Sequence, residues 1–432
     1  MEMKKEIVVL GAGFGGIKAA FILHKCLKRL SLLDKYEIVL VDKNTYHTYT
    51  PTLYEAATTS KDIANQIKLK NIVTFPLKTA FQGREVVLLN KKIKELDLVG
   101  GDIHFGDGGK LKFDYLVIAL GSETNYFDIA GLEENSLTLK TFMDAIKIRD
   151  AIWDKVDAGA KKIKIVIGGG GSTGVELAGE IQSWTCQLDK ELKNCKTAVK
   201  IIEGQPTILP GFDEKVIKKV TKRLKKIGVE ILLGEFIEKV EPNKIYLKSK
   251  QLENFDILIW TGGVKASRLT GALPLRKDEK GKQIAVKEKM ECLPQTDDLK
   301  LYGKIYGIGD AVCCYYAETG KPVPKIAEVA IQQAKIAAHN IIEDIKLSEK
   351  IISVPKYKKY RPKISEFPYI IPIGGKYAIA KFGSVVISGF LGWVLKGLVE
   401  LYYILLNVFP PYQAIKIWLK GLLIFIKNDR LG

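Results

Sequence analysis

Cysteine is scarce and poorly spaced for redox work. The six are Cys26, Cys186, Cys195, Cys292, Cys313 and Cys314, and none forms a Cys-x-x-Cys or similar redox pair in the first glycine-rich unit. That excludes a dithiol redox motif and argues against a structural zinc site, so no metal is expected. There is no low-complexity tract. No cleavable leader is expected, because Met1 to Lys5 runs directly into an apolar strand. No uncharged run reaches the roughly 20 residues needed to cross a bilayer. Acidic residues are outnumbered, 49 against 67 basic, for a net charge of +18. Such a surplus suits nucleic acid, an anionic membrane surface or nothing specific. No nucleic-acid motif is present and the lysines are not interleaved with aromatics, so nucleic acid is not expected as a partner. Much of the lysine (Lys215, Lys218, Lys219, Lys222, Lys225, Lys226) falls on one predicted helix surface, the pattern of a solvated face.

What is present is a duplicated glycine-rich turn. Ile163 to Gly168 is a β-branched run, the pattern of a buried parallel strand. Gly169, Gly171 and Gly174 then follow at GxGxxG spacing and open a helix. The first glycine permits a tight turn. The second lets a pyrophosphate approach the backbone, and the third lets the helix pack on the strand. The helix N-terminus carries partial positive charge toward the phosphates. Glu176 sits in the first turn, where a carboxylate can reach a bound nicotinamide. Gly11, Gly13 and Gly16 repeat the spacing after Ile7 to Leu10. Each unit continues to a strand ending in an acid, Asp42 in the first and Glu203 in the second, placed to accept hydrogen bonds from adenosine ribose hydroxyls. Both acids lie beyond the usual interval of about 20 residues, so each crossover helix is long or carries a loop. Two such units on one chain of 432 residues imply two dinucleotides, FAD and NAD(P)H. The missing Cys-x-x-Cys argues against the disulfide reductases that share this architecture. The nucleotide domains are expected in the cytosol.

Taken in order, Lys43 to Glu55 is a polar and aromatic loop directly after Asp42, a candidate flavin wall containing His47. Residues 84–120 alternate between glycine turns, as a small antiparallel sheet would. Phe113 to Ser122 is a buried strand ending at Gly121. Phe255 to Val264 echoes it, with Phe-Asp, an apolar strand and then Gly262, which supports an internal duplication. Ile305 to Ala311 ends in Gly309-Asp310, where Asp310 can either bind a flavin hydroxyl or cap a turn. A helix from Ala327 to Ile341 follows. From Phe367 charge density falls. Gly389 to Asn407 reads as a mostly apolar helix, Pro410-Pro411 breaks it, and Tyr412 to Lys427 is a second. There Lys416, Lys420 and Lys427 share nearly one azimuth, among Ile415, Trp418, Leu419, Leu422, Leu423 and Ile426. The pattern fits an interfacial helix at an anionic membrane surface, with a buried helix or a homodimer interface as alternatives.

These residues together resemble the type II NADH:quinone oxidoreductases, single-subunit and non-pumping. The carriers are Gly-Ala-Gly-Phe-Gly-Gly at 11–16, Val-Asp-Lys-Asn-x-Tyr-His at 41–47 and Asp-Tyr-Leu-Val-Ile-Ala-Leu-Gly at 114–121. They continue with residues 169–180, Trp-Thr-Gly-Gly-Val at 260–264, Gly-Asp-Ala at 309–311 and Ala-Glu-Val-Ala-Ile-Gln-Gln at 327–333. The resemblance implies an α/β, two-dinucleotide flavoprotein fold with two Rossmann-like domains and a C-terminal membrane-associating helical segment. The expected boundaries are 1–122 with 300–365 for FAD, 123–299 for NADH and 366–432 for the anchor. It implies FAD on Gly11, Ala12, Gly13, Phe14, Gly15, Gly16, Asp42, Lys43, Gly121 and Asp310, with Ala327 near the flavin ring. It implies NADH on Gly169, Gly171, Gly174, Glu203 and Gly262, and Glu176 as the active-site glutamate between nicotinamide and flavin. A membrane quinone would meet Glu328, Gln332 and Gln333. Glu328 departs from the family, which usually has Gln there. The expected location is the cytoplasmic face of the cell membrane, held peripherally. The rival readings are a sulfide:quinone oxidoreductase, for which Cys313-Cys314 lacks an evident partner, and a soluble flavin reductase serving an acceptor protein.

Overall fold

The computed structural model describes residues 4–160, 162–188, 197–278, 283–362 and 367–428; Cys195 lies outside them. The chain divides into two compact units, Met1–His47 with Pro76–Glu123 and Val264–Glu366, and Thr48–Phe75 with Thr124–Gly263 and Phe367–Gly432.

In the first unit, Ile7 to Leu10 is buried on both faces, which a continuous aliphatic run allows and an alternating strand would not. It lies at the centre of a five-stranded parallel sheet. The order is Lys304–Gly307, Tyr115–Ile118, Lys5–Leu10, Tyr36–Asp42, Val87–Asn90. The chain order reverses between Lys5–Leu10 and Tyr115–Ile118, so a crevice opens there at the carboxyl ends of the strands. Residues 84–120 depart from the single antiparallel sheet expected of them. Val87–Asn90 joins the parallel sheet as its edge strand beside Tyr36–Asp42. Only Ile93–Asp97, Asp102–Phe105 and Lys110–Lys112 form the antiparallel ribbon.

The second unit repeats this order except at one edge, where the strand comes first in its chain segment and not last. Leu137–Thr138, Ile257–Trp260, Ile163–Gly168, Thr197–Glu203 and Glu230–Leu233 make a parallel sheet. Ile237–Glu241, Lys244–Leu247 and Leu252–Asn254 make a second antiparallel ribbon. The echo between residues 113–122 and 255–264 is therefore an equivalence of position, since each supplies the strand beside the glycine-turn strand. The helix Ser172–Leu188 follows the second turn as Phe14–Arg29 follows the first.

Beyond residue 367 the sequence pattern predicts the two helices from Gly389 onward and no strands. The structure first builds an antiparallel sheet of Tyr369–Pro372, Ala378–Phe382 and Val385–Gly389. The helices Phe390–Asn407 and Pro411–Asn428 follow. Pro411 opens the second at a position where its missing N–H costs nothing. Gly392 lies so close to the sheet that a Cβ would stand 2.3 Å from the Ala378 carbonyl oxygen.

The two glycine turns share one steric logic. Gly11 and Gly169 hold φ of +101° and +106°. A Cβ on Gly16 would lie 1.8 Å from the Gly11 oxygen, and one on Gly174 would lie 2.0 Å from the Gly169 oxygen. A Cβ on Gly13 or Gly171 would meet nothing within 4 Å. Gly16→Ala and Gly174→Ala are accordingly expected to lower unfolding free energy by about 3 kcal/mol, and Gly13→Ala and Gly171→Ala by no more than about 0.5 kcal/mol. Urea unfolding of the four variants checks the contrast.

Candidate functional site

In the first unit the crevice is a cavity of about 1260 Å³. Gly11, Gly13, Asp42, Lys43, Ala119 and Gly121 line it, all from the carboxyl ends of the parallel strands. Asp42 accepts from the Ala12 N–H at 2.7 Å and from the Asn44 N–H at 2.7 Å. Burial pushes its carboxyl up, and these two hydrogen bonds oppose that. His47 is buried, with Nδ1 2.9 Å from the Ala12 oxygen and its ring edge-on to Phe14. Burial lowers it to about 4, so the ring is neutral at pH 7 and donates from Nδ1 to the carbonyl. It thus braces the glycine turn from behind. Asp310, in the turn Gly309–Ala311, accepts from the Ser122 hydroxyl at 3.0 Å.

This cradle fits FAD. Its volume holds a large ligand, Gly13 leaves open the space a Cβ would fill, and the second-strand acid is already aimed at the turn. Of the residues expected at FAD, Gly11, Gly13, Asp42, Lys43 and Gly121 line this cavity and could hold it. Ala327 begins the helix Ala327–Ser348, with Glu328 in the first turn. Glu328 is exposed and accepts from Gln332 Nε2 at 3.1 Å. Gln333 is 2% exposed. Its Oε1 accepts from the Gly309 N–H at 2.7 Å, and its Nε2 faces Cys314 Sγ at 3.4 Å. Gln333 therefore fastens the Gly-Asp turn, while Glu328 and Gln332 stand at the surface.

The second unit repeats the acid's geometry. Glu203 accepts from the Gly170 N–H at 2.6 Å and the Gln205 N–H at 2.8 Å. Gly169 approaches Gly262 so closely that a Cβ would be 2.6 Å from its Cα. The Thr261 hydroxyl donates to the carbonyls of Gly168 and Gly169 at 3.1 Å each. Gly171 is the open position, as Gly13 is in the first unit.

Glu176 lies in a charged cluster that pattern reading missed. The Lys396 ammonium bonds Glu55 at 2.8 Å and approaches Glu400 at 3.5 Å. All three side chains are largely buried, and Glu55 Oε2 has no hydrogen-bond partner among the described residues. Burial pushes the Glu176 carboxyl up to about 8; Lys396 pulls against that and Glu55 adds to it. Burial alone would lower Lys396, but the carboxylates of Glu55 and Glu400 outweigh it and the net shift is upward. Burial raises Glu400 as well, with Lys396 opposing. An apolar cavity of about 160 Å³, lined by Trp393, Trp418, Leu422 and Phe425, opens onto these groups. The signal available in the sequence was Lys396 and Glu400, an i,i+4 pair of opposite charges inside an apolar helix.

The thiols offer little to the sulfide reading. Cys313 is buried, and burial pushes Cys314 up to about 12 and Cys292 further still. At neutral pH Cys292 and Cys314 are protonated, the poorly nucleophilic form.

Residues 5–334 match the pyridine nucleotide-disulphide oxidoreductase family, and the chain belongs to it. It is 27% identical over 429 residues to the type II NADH:quinone oxidoreductase Ndh of Mycobacterium tuberculosis, covering 93% of this chain and 85% of that one. It is 27% identical over 370 residues to the type II NADH:quinone oxidoreductase of Haemophilus influenzae, covering 78% and 80%. The fold is that of NDH2 from Plasmodium falciparum in complex with RYL-552, with a TM-score of 0.80 at 18% identity over 100% and 99% of the two chains.

The cluster supplies a stability test. Lys396→Met leaves two buried carboxylates without their cation and is expected to destabilise by about 3 kcal/mol or more. Adding Glu55→Gln and Glu400→Gln to that variant should restore most of the loss, measured by chemical unfolding.

Proposed function

We propose that the chain is a type II NADH:quinone oxidoreductase that takes a hydride from NADH and delivers two electrons to a membrane quinone. The observation that carries this reading is the duplicated cradle, with Asp42 on Ala12 in one unit and Glu203 on Gly170 in the other. The relatives of M. tuberculosis and H. influenzae, whose names state this activity, support it. We assign FAD to the unit of Gly11 and Asp42, and NADH to the unit of Gly169 and Glu203. Bound FAD supplies the two-electron relay between hydride donor and quinone.

The residues have separable tasks. Asp42 and Glu203 use one set of lone pairs on the backbone and keep others for ribose hydroxyls. Glu203 also repels a 2′-phosphate. Glu176, protonated over much of the neutral range, holds a proton for transfer during quinone reduction and orients the nicotinamide. Glu328 and Gln332 present polar atoms to the quinone, and Gln333 positions the Gly309-Asp310 turn from behind.

The exposed apolar side chains of the C-terminal helices support peripheral attachment to a membrane, which we assign to the cytoplasmic face. Leu391 is 67% and Tyr402 64% exposed on the first, and Tyr412 76% and Leu423 58% exposed on the second. Lys416, Lys420 and Lys427 are also exposed and flank that apolar stripe. Trp418 turns inward instead, donating to the Gly397 carbonyl at 2.8 Å. Phe390–Asn407 is long and apolar enough to cross a membrane, but at about 1.5 Å per residue its 18 residues barely match a hydrocarbon core. Its Lys396 is tied to Glu55 and to Glu400 on its own helix, so we read it as lying in the interface.

NADH oxidation by the FAD-loaded protein, with and without a short-chain quinone, tests the whole reading; sustained turnover is expected only with quinone, and flavin reduction that stops there would overturn it. For the nicotinamide acid, kcat/KM for NADH should exceed that for NADPH by about tenfold or more, a difference of about 1.4 kcal/mol, and Glu203→Ser should narrow the gap. For the proton donor, turnover should fall as the pH rises through about 8, where Glu176 loses its proton. Glu176→Gln should be slower and lack that limb. A full pH profile of both proteins separates the cases.

A further inference from the structure

The lysine-rich helix Glu214–Lys226 is the strongest charge feature that the proposed reaction leaves unused. Its buried residues are Val216, Val220 and Leu224, an i,i+4,i+8 stripe that fastens one face to the core. At about 100° per residue, Lys215, Lys218, Lys222, Lys225 and Lys226 fall on the opposite face with Lys219 at its edge, and all are exposed. Lys218 has a distant partner in Glu214, at 3.9 Å between two well-exposed side chains, an arrangement that contributes little. A row of like charges along one helix repels itself at i,i+4 spacing. It is a face better suited to an anionic partner than to water alone.

The helix is fixed to the element that carries the apolar anchor. Arg223 donates to the carbonyls of Ile373 and Gly374 at 3.3 and 3.0 Å. Lys219 Nζ meets Ser388 Oγ at 3.2 Å, two residues before Phe390 begins the first C-terminal helix. Lys381 pairs with Asp213, the residue that caps the lysine helix, at 3.6 Å. Between Lys381 and Ser388 the hairpin exposes Phe382 and Val385. The basic face and the exposed apolar side chains are thus rigidly joined through one small sheet.

We propose that Glu214–Lys226 is an electrostatic docking helix for anionic phospholipid, contributed by the nucleotide unit and separate from the C-terminal helices. The inference rests on the membrane-associated reading above. The apolar helices would supply attachment to any bilayer, and the lysine face would select an anionic one. Each lysine near a negatively charged surface adds affinity, and the contribution fades within a Debye length.

The test uses the full-length, FAD-loaded protein and two vesicle types, neutral phosphatidylcholine and phosphatidylcholine with about 30 mol% phosphatidylglycerol, a fraction chosen to give a negative surface potential. The variant carries Lys218→Gln, Lys222→Gln, Lys225→Gln and Lys226→Gln, which keep helix propensity nearly unchanged. The control carries Lys25→Gln, Lys28→Gln, Lys78→Gln and Lys350→Gln, four exposed lysines of the other unit. The helix variant should lose affinity for anionic vesicles by roughly tenfold or more at low salt, with a shallower salt dependence. Its binding to neutral vesicles should be unchanged. An equal loss in the control would overturn the proposal in favour of diffuse charge. Unchanged anionic binding would overturn it too, as would a loss confined to duplex DNA, which would point to nucleic acid. NADH oxidation with a short-chain quinone is measured on the same samples. It should be retained by both variants, so failure of the enzymatic reading appears there and not in the vesicle assay.

Discussion

The contact between Gly16 and the Gly11 carbonyl, repeated between Gly174 and Gly169, governs what each unit can do. A helix can leave a parallel strand this tightly only where no Cβ stands between them. That closeness aims the helix N-terminus at the crevice where strand order reverses. The next strand then ends in an acid beside the same turn, and its carboxylate accepts from the turn's N–H. Ala12 to Asp42 and Gly170 to Glu203 are two copies of one hydrogen bond. The open positions at Gly13 and Gly171 are the complement of this packing, since at each no described residue lies where a Cβ would stand.

Those parts were legible in sequence because they are local. A glycine spacing, a β-branched run and a terminal acid all fall within one crossover. The echo of residues 113–122 in 255–264 was legible for the same reason, and the sheet order gives it its meaning. What stayed hidden depends on contacts between distant residues. Glu55 and Lys396 are 341 positions apart, and Asn428 donates to the Thr58 carbonyl across 370. No periodicity encodes such a pairing. The segment Thr48–Phe75 packs with the second unit, although in sequence it reads as a continuation of the loop after Asp42. Gln333 was visible as a residue, but its bond to the Gly309 N–H was not, and that bond makes it a support for Asp310.

The charged cluster shows why burial matters more than residue type here. Glu176 alone on a helix surface would ionise near its ordinary value and hold no proton at pH 7. Beside the Glu55 and Lys396 charges, burial raises its carboxyl to about 8 and it does hold one, although Lys396 pulls against this. Lys396 remains charged because Glu55 and Glu400 share it. An isolated buried ammonium would lose its proton instead. The cost of burying three charged groups is offset only while all three are present, which makes the cluster sensitive to any single deletion.

The C-terminal helices invert the usual soluble pattern, and the inversion follows from that cluster. In Phe390–Asn407 the charged residues Lys396 and Glu400 turn inward, and Leu391, Leu398, Tyr402 and Leu406 turn outward. A soluble surface helix places these groups the other way round. Reversing the helix to hide its leucines would carry the Lys396 charge away from Glu55 and leave a buried carboxylate unpaired. The ion cluster therefore fixes which face is exposed, and the exposed face is apolar. An apolar face of this extent on a folded protein calls for a partner. In Pro411–Asn428 the same outward stripe runs through Tyr412, Ile415, Leu419 and Leu423, bordered by Lys416, Lys420 and Lys427. Lysines beside an apolar stripe can keep their ammonium groups among headgroups while their stems cover hydrocarbon. A bilayer surface meets both requirements at once, and a second apolar protein face would leave the lysines without a role.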